Sequence, residues 1–399
     1  MHNQNQNNRN FSGLGIAPSL LAALARLHYT IPTPIQEQAI PVAIQGEDIV
    51  GIAQTGTGKT LAFGIPMIQR LAQIKGQGLV VLPTRELAIQ VDEVLKEIGQ
   101  SFGLRTALLI GGTSLGPQVQ AISRRPHIIV ATPGRLIDHL NQKNLRLDNA
   151  RILVLDEADR MFDMGFLPQI QKIFQALPKD RQTMLFSATM PPEIMKIAAT
   201  RMKLPVRVEI APEGTTVESV THELFIVPKE QKMRLLQKLL ERHQGSTLVF
   251  TRTKYGAKKA VQKIRAMGIA AAEIHSNRSL NQRREALDGF KSGKYRVLVA
   301  TDIASRGIDV VGIEVVVNYD LPSTSHDYVH RIGRTARAGA SGHAITFAMP
   351  GEQKEIWAIE RLIRRKLPIS KLPEFSEVDR EPDDRRGNFR YPRRGHRRF

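Results

Sequence analysis

Asp48-Ile49-Val50-Gly51-Ile52-Ala53-Gln54-Thr55-Gly56-Thr57-Gly58-Lys59-Thr60-Leu61-Ala62 decides how the rest of this chain is read. A short apolar run, Asp48–Ala53, leads into a loop of alternating Thr and Gly, and an apolar helical pattern follows. A strand that breaks into a glycine loop and opens a helix is the setting a phosphate-binding loop requires. The glycines let backbone N–H groups turn inward around phosphate oxygens, and the helix N-terminus adds partial positive charge. Within Gln54, Thr55, Gly56, Thr57, Gly58, Lys59 and Thr60, the Lys59 ammonium can reach β- and γ-phosphates and the Thr60 hydroxyl can take a place on Mg²⁺. The strict pattern starts with Gly, where this chain has Ala53. A coincidental Gly/Thr turn is the competing reading, and the strand-loop-helix context argues against it.

Outward from this loop, short β-branched runs alternate with helical patterns. The predicted strands are Asp48–Ala53, Leu79–Pro83, Ile128–Thr132, Ile152–Leu155 and Met184–Ser187, then Leu224–Val227, Thr247–Thr251, Val297–Thr301, Val315–Asn318 and Ala344–Ala348. Apolar runs of this length, separated by helix-sized segments, predict parallel sheets covered on both faces. The fold class is therefore α/β, with two tandem P-loop-type domains. Between the two series lies Ala-Pro-Glu-Gly-Thr-Thr-Val-Glu-Ser, without apolar period, which reads as a linker over 211–219. The expected division is a polar leader over 1–10, a first domain over 11–210, a second over 220–368 and an arginine-rich tail over 369–399 without core-forming pattern. The last helix is predicted over Glu352–Arg365, with Trp357 in the core rather than at an interface.

Lys and Arg outnumber Asp and Glu by 57 to 38, a formal charge of +19. Such a surplus favours a polyanionic partner, nucleic acid or an anionic membrane. No apolar run approaches the roughly 20 residues of a spanning helix, so the membrane is the weaker candidate. The first residues, MHNQNQNNRN, lack the apolar centre of a secretory signal, and there is no cysteine, which excludes disulfide scaffolds and thiolate metal sites. A cytoplasmic monomer is expected. The tail, ending RRGNFRYPRRGHRRF, is expected to contact nucleic acid or protein partners rather than merely solubilise the chain.

Asp156-Glu157-Ala158-Asp159 closes the predicted strand Ile152–Leu155, and carboxylates at such strand ends face the nucleotide crevice of α/β sheets. Asp156 suits Mg²⁺, and Glu157 can orient or deprotonate an attacking water. A helix N-cap cluster would explain the same acids without chemistry. The second series has no phosphate loop, but it carries His330-Arg331-Ile332-Gly333-Arg334-Thr335-Ala336-Arg337. Arginines three residues apart on a helix share nearly one face, which an adjacent γ-phosphate would satisfy; a solvated basic face is the alternative.

Together these motifs closely resemble the DEAD-box ATP-dependent RNA helicases, whose name is spelled at Asp156–Asp159. The resemblance covers roughly residues 11–365, with motifs in the expected order, and implies two RecA-like domains with ATP and Mg²⁺ between them. It implies further that Gln36 and the upstream Phe11 select adenine, that Asp309 faces the ribose, and that Arg334 and Arg337 meet the γ-phosphate. Asp159, Ser187, Thr189 and His330 would couple the nucleotide to domain closure. RNA would be held by its backbone at Thr84, Arg85, Gly112, Thr132, Gly134 and Arg135 of the first domain. Arg252, Arg283, Thr301, Arg306 and Gly307 of the second would complete the grip. Two departures stand out: Leu280 where the family usually has Gln, and Ala336 where it usually has Gly. The short core with a basic tail looks like the bacterial RhlE-type subgroup, with ribosome assembly and RNA decay as settings. An RNA clamp without unwinding and a DNA-directed motor are the rival readings.

Overall fold

The computed structural model describes residues 10–54, 56–210, 220–302, 313–335 and 342–374, the side chain of His326 apart. Thr55, Arg306, Gly307, Asp309, Arg337, the 211–219 segment and the arginine-rich end lie outside those residues. In the first domain the order is α1 (Pro18–Arg26), α2 (Pro34–Gln45), β1 (Ile49–Ile52), α3 (Lys59–Gln73), β2 (Gln77–Val81), α4 (Arg85–Gly99), β3 (Thr106–Leu109) and α5 (Leu115–Ser123). It continues with β4 (Ile128–Ala131), α6 (Pro133–Asn141), β5 (Ala150–Leu155), α7 (Ala158–Asp163), α8 (Leu167–Ala176), β6 (Gln182–Ser187), α9 (Pro192–Arg201) and β7 (Val206–Glu209).

The second domain contains β8 (Val220–Ile226), α10 (Lys232–Arg242), β9 (Thr247–Phe250), α11 (Lys254–Ala266), β10 (Ala271–Ile274) and α12 (Leu280–Lys291). β11 (Val297–Ala300), β12 (Val315–Asn318), α13 (Ser325–Ile332), β13 (Gly342–Ala348) and α14 (Gln353–Ile363) follow.

Both sheets are parallel, ordered β3-β4-β2-β5-β6-β1-β7 and β10-β11-β9-β12-β13-β8. Their central strands are buried on both faces, which is why the sequence shows continuous apolar runs rather than alternation. Two apolar layers flank the first sheet, one under α2, α3 and α4 and the other under α6 to α9. Asp48 fastens β1 between its neighbours: its carboxylate oxygens accept the backbone N–H groups of Thr183 and Lys203, each at 2.6 Å.

Three expectations need correction. The strands β3, β7 and β10 are absent from the sequence reading, and all three are sheet edges. β7, Val-Arg-Val-Glu, is mostly exposed, so its pattern carries almost no apolar signal. The second domain also runs past Pro368. Ile369 bridges to Leu224, Ser370 donates its N–H to the Leu224 carbonyl at 2.8 Å, and Leu372 packs on the core, so the tail starts later than 369. Trp357 is not core: it is 54% exposed, while Ile356 and Ile359 fill the buried face of α14.

Candidate active site and nucleic-acid face

The phosphate loop follows β1 as the sequence requires. Gly56 and Gly58 take φ of +88° and +86°, backbone that side chains rarely tolerate. Gly58 has a second reason to be glycine: a Cβ there would stand 2.3 Å from Gln36 Nε2. Gln36 itself is buried, and both ends of its amide are engaged within the protein. Its Oε1 accepts the Thr33 N–H at 2.9 Å, closing a capping box on α2, while Nε2 donates to the Gly58 carbonyl at 2.9 Å. The amide keeps one N–H and one lone pair for a base edge by its chemistry. Phe11 is not brought to this place. Its ring is 4% exposed within the first-domain core, and Tyr29 is the aromatic side chain that lines the cavity.

That cavity, of about 570 Å³, is lined by Gln36, Gly56, Gly58, Lys59, Thr60, Asp156 and Glu157 among others, with Lys291 of the second domain also on its wall. Lys59 Nζ donates to the Ala53 carbonyl at 3.0 Å and lies 4.0 Å from Asp156 Oδ1. Burial pushes the Asp156 carboxyl up to about 6, Lys59 opposing and Glu157 adding to the rise. One Asp156 oxygen accepts the Glu157 N–H at 2.8 Å. Among the described residues no group of three or more His, Asp or Glu could cage a metal. A buried carboxylate whose charge Lys59 and Arg160 balance only in part, on the same cavity wall as Thr60, fits instead an ion that takes one or two protein ligands and completes its shell on phosphates and water.

Glu157 stands at the N-cap position of α7, yet its side chain makes no capping bond, so the N-cap reading does not account for Glu157, although Asp159 Oδ1 accepts the Arg160 N–H at 3.0 Å in the first turn. Its backbone is left-handed, φ 51° and ψ 49°, a conformation that costs a non-glycine residue about 1–3 kcal/mol. The carboxylate turns to Arg160, with which it forms a fully buried ion pair. Burial alone would raise the Glu157 carboxyl, but Arg160, then Lys59 and Arg334, outweigh it and hold it below the usual carboxylate range. Arg160 is the functional neighbour that sequence reasoning missed. Its signal was the i,i+3 spacing from Glu157 on a helix start.

Asp159 is the junction to β6. Its Oδ2 accepts the Ala188 N–H at 3.1 Å, the Thr189 N–H at 2.9 Å and the Thr189 hydroxyl at 3.0 Å, while its own N–H donates to Ser187 Oγ at 3.2 Å. From the second domain, His330 and Arg334 come close enough to act electrostatically on Asp159 and Glu157 respectively. Burial first, then Arg160, pushes the His330 imidazole down to about 4. The three-arginine face is only partly realised. Arg331 is fully buried and bidentate on Asp302 at 2.6 and 2.8 Å, also bonding Asn318 Oδ1 and the Asp320 carbonyl, so it braces the second domain. The helix ends at Ile332, and Arg334 reaches the cleft from the turn beyond.

The expected RNA contacts gather at the carboxyl ends of the parallel strands. Arg85 packs against the turn at Gly111 and Gly112, where a Cβ on Gly112 would meet Arg85 Nη1 at 1.9 Å. Arg135 donates to the Thr113 carbonyl at 3.1 Å, which puts Arg85, Gly112 and Arg135 in one neighbourhood. Thr84 caps α4 through its hydroxyl, Thr132 holds the N-cap position of α6 without a side-chain bond, and a side chain on Gly134 would meet open space. In the second domain Arg252 hangs from Asp320 by its backbone N–H at 2.9 Å, and Thr301 directly follows β11. Arg283 departs from expectation: its guanidinium is paired with Glu86 of the first domain at 2.9 Å and is mostly buried. Leu280, one turn earlier, packs against the first-domain core, and Arg284 lies 3.7 Å from Glu93. α12 and α4 thus form a contact between the domains.

Comparison with known proteins places this geometry. Residues 33–197 match the DEAD/DEAH box helicase family, and residues 231–339 match the helicase conserved C-terminal domain. The chain belongs to the DEAD-box family of ATP-dependent RNA helicases. It is 41% identical over 375 residues to the ATP-dependent rRNA helicase RRP3 of Debaryomyces hansenii, spanning 93% of this chain and 79% of that one. It is 42% identical over 372 residues to the DEAD-box ATP-dependent RNA helicase CshA of Geobacillus kaustophilus, spanning 92% and 79%. Among solved structures, S. cerevisiae Dbp5 bound to RNA and ADP BeF3 superposes with a TM-score of 0.80 at 30% identity, over 91% of this chain and 95% of that one. Mss116p bound to ssRNA and AMP-PNP superposes at 0.82 with 26% identity, over 93% and 81%.

Proposed function

We propose that the protein couples ATP hydrolysis between its domains to bending and local melting of RNA duplexes, without processive movement. The observation that carries this reading is the position of Glu157, which feels Arg160 of its own domain and Arg334 of the other. A carboxylate set between them is complete only when the domains are together.

ATP would lie on the phosphate loop, with backbone N–H groups and Lys59 on its phosphates and Gln36 beside its base. Thr60 and Asp156 would hold Mg²⁺, which supplies charge neutralisation at the β- and γ-oxygens. Glu157, ionised at neutral pH, orients the attacking water and accepts its proton. Arg334 meets the charge that develops on the γ-phosphoryl group. Arg337, Asp309, Arg306 and Gly307 belong to the same proposal by their matching positions. The Asp159–Thr189 junction ties the acid motif to the segment after β6, so a change at the phosphates can be felt at the RNA face.

On that face, Arg85, Arg135, Arg252, Thr301 and the Gly112 and Gly134 backbones would grip phosphates and sugars without reading bases. Arg283 contributes through the domain contact. A strand bent in this groove loses its partner, and hydrolysis lets the domains part. A cytoplasmic monomer of the RhlE-like kind completes the proposal. Structured ribosomal RNA is the first substrate to try, because relatives are named rRNA helicases.

Steady-state ATP hydrolysis with single-stranded RNA, with matched DNA and with neither tests the reading. Stimulation by RNA alone is expected. Turnover indifferent to both would leave a nucleotide site without a motor.

A further inference from the structure

We propose that the outer face of α14 is a second, stacking site for single-stranded RNA, which takes up the strand as it leaves the groove between the domains. The helix begins beside that groove: Glu352, its N-cap residue, lies 3.7 Å from the guanidinium of Arg252. Lys354, Trp357 and Arg361 follow at i, i+3 and i+7, a single stripe of the helix, and all are exposed. Arg364 and Arg365 continue it just past the helix end. At 1.5 Å per residue the stripe runs about 18 Å from Glu352 to Arg364, room for a few nucleotides.

The chemistry matches a nucleic-acid strand better than a solvated surface. Arg361 belongs to the last turn of the helix, and basic groups there complement the helix dipole, so the arginines alone would need no ligand. Trp357 is not explained that way, since an indole 54% exposed beside a cavity of about 490 Å³ gains nothing from the dipole. Aromatic faces between cationic side chains form the platform on which bases stack while phosphates are neutralised. Carboxylates do not cancel this charge. Glu360, within the cavity wall, is taken by Lys366 Nζ at 2.7 Å and the Leu367 N–H at 3.0 Å, and Glu355 points about 160° away from Trp357 on the helix. Among the described residues Lys354, Arg361, Arg364 and Arg365 make no ion pair.

The chain has one Trp, so Trp357 fluorescence reports on this face alone. The full-length protein is titrated with oligouridylates of about 8 and about 20 nucleotides, the shorter sized for the groove and the longer able to reach α14. Fluorescence quenching is expected with the longer strand and little with the shorter. Trp357→Ala is expected to weaken the longer strand about tenfold by anisotropy and leave the shorter unchanged, with Trp357→Tyr retaining most of the affinity. Absence of quenching by the longer strand, or a Trp357→Ala protein that binds both lengths normally, would overturn the site. A patch that docks a protein would give that second result. The proposal rests on the RNA reading above, so ATP turnover stimulated by the shorter strand is measured in parallel. Its absence sinks both readings, whereas its presence without quenching sinks only this one.

Discussion

Arg283 of α12 and Glu86 of α4 meet at 2.9 Å across the two domains, each side chain only 10% exposed. Burial pulls the Arg283 guanidinium down, Arg85 adds to the fall, and Glu86 opposes it only in part. Neither domain buries this pair alone, so its strength is drawn on only when they close. Leu280 lies at the same contact and adds apolar area where a glutamine would add a polar group to be satisfied.

Removing one partner should therefore cost closure, not folding. Arg283→Ala or Glu86→Ala is expected to raise the RNA concentration for half-maximal ATP turnover by tenfold or more, since half of a buried pair costs about 3–5 kcal/mol to strand. The basal rate and the melting temperature should hardly move. The exchange Arg283→Glu with Glu86→Arg should recover part of the loss; if it does not, the pair is incidental.

Glu157→Gln should lower ATP hydrolysis about 10²–10⁴-fold with nucleotide binding intact. Arg160→Ala is the sharper test. Arg160 is the chief cation holding Glu157 low, so its removal raises the carboxyl and moves the acid limb of the rate–pH profile to higher pH. An acid limb that stays in place would deny Glu157 the role of base.

His330 supplies a pH dependence of definite sign. Its value falls from 6.5 to about 4 in the folded protein, so the unfolded or separated state binds the proton more tightly. The contribution of the neutral imidazole is complete above 6.5 and is lost as pH falls from there to about 4. It amounts to at most about 3 kcal/mol. The charges that set it are Arg160 and Arg334 against Asp159 and Asp327. RNA-stimulated turnover of the parent protein should decline through this window more steeply than that of His330→Asn. Parallel profiles would place the sensitivity elsewhere.

Truncation after Glu374 removes the arginine-rich end and keeps the Ile369–Leu224 bridge. It should weaken RNA binding and flatten its salt dependence with basal hydrolysis unchanged. Truncation after Pro368 should in addition lower the melting temperature, because it removes the Ser370 N–H bond to the outer edge of β8, whose other edge stays paired with β13, and the Leu372 contact with the core. Equal melting temperatures for the two would contradict a stabilising role for the Ile369–Ser370 bridge to Leu224.

The interior of both sheets was legible because central parallel strands cannot hide: burial on both faces demands unbroken apolar runs. The edges β3, β7 and β10 carry one-sided or short runs, as in Ala-Ala-Glu-Ile over 271–274, and give little to read. At the site, Lys59, Asp156 and Glu157 were legible from a loop and a strand end. Their partners across space were not: no local pattern pairs Arg331 with Asp302 or Arg283 with Glu86, which lie far apart in the chain. Trp357 was misplaced for a related reason, since a lone Trp on an amphipathic helix looks the same in sequence whether it faces inward or outward.

Gln36 holds both the first turn of α2 and the Gly58 carbonyl with a single amide. A purine that drew on that amide would tug on the loop that carries its own phosphates. If Gln36 reads the base, choice of base and grip on the triphosphate become one mechanical event, and a pyrimidine nucleotide that fitted the loop without drawing on that amide would leave the loop unmoved.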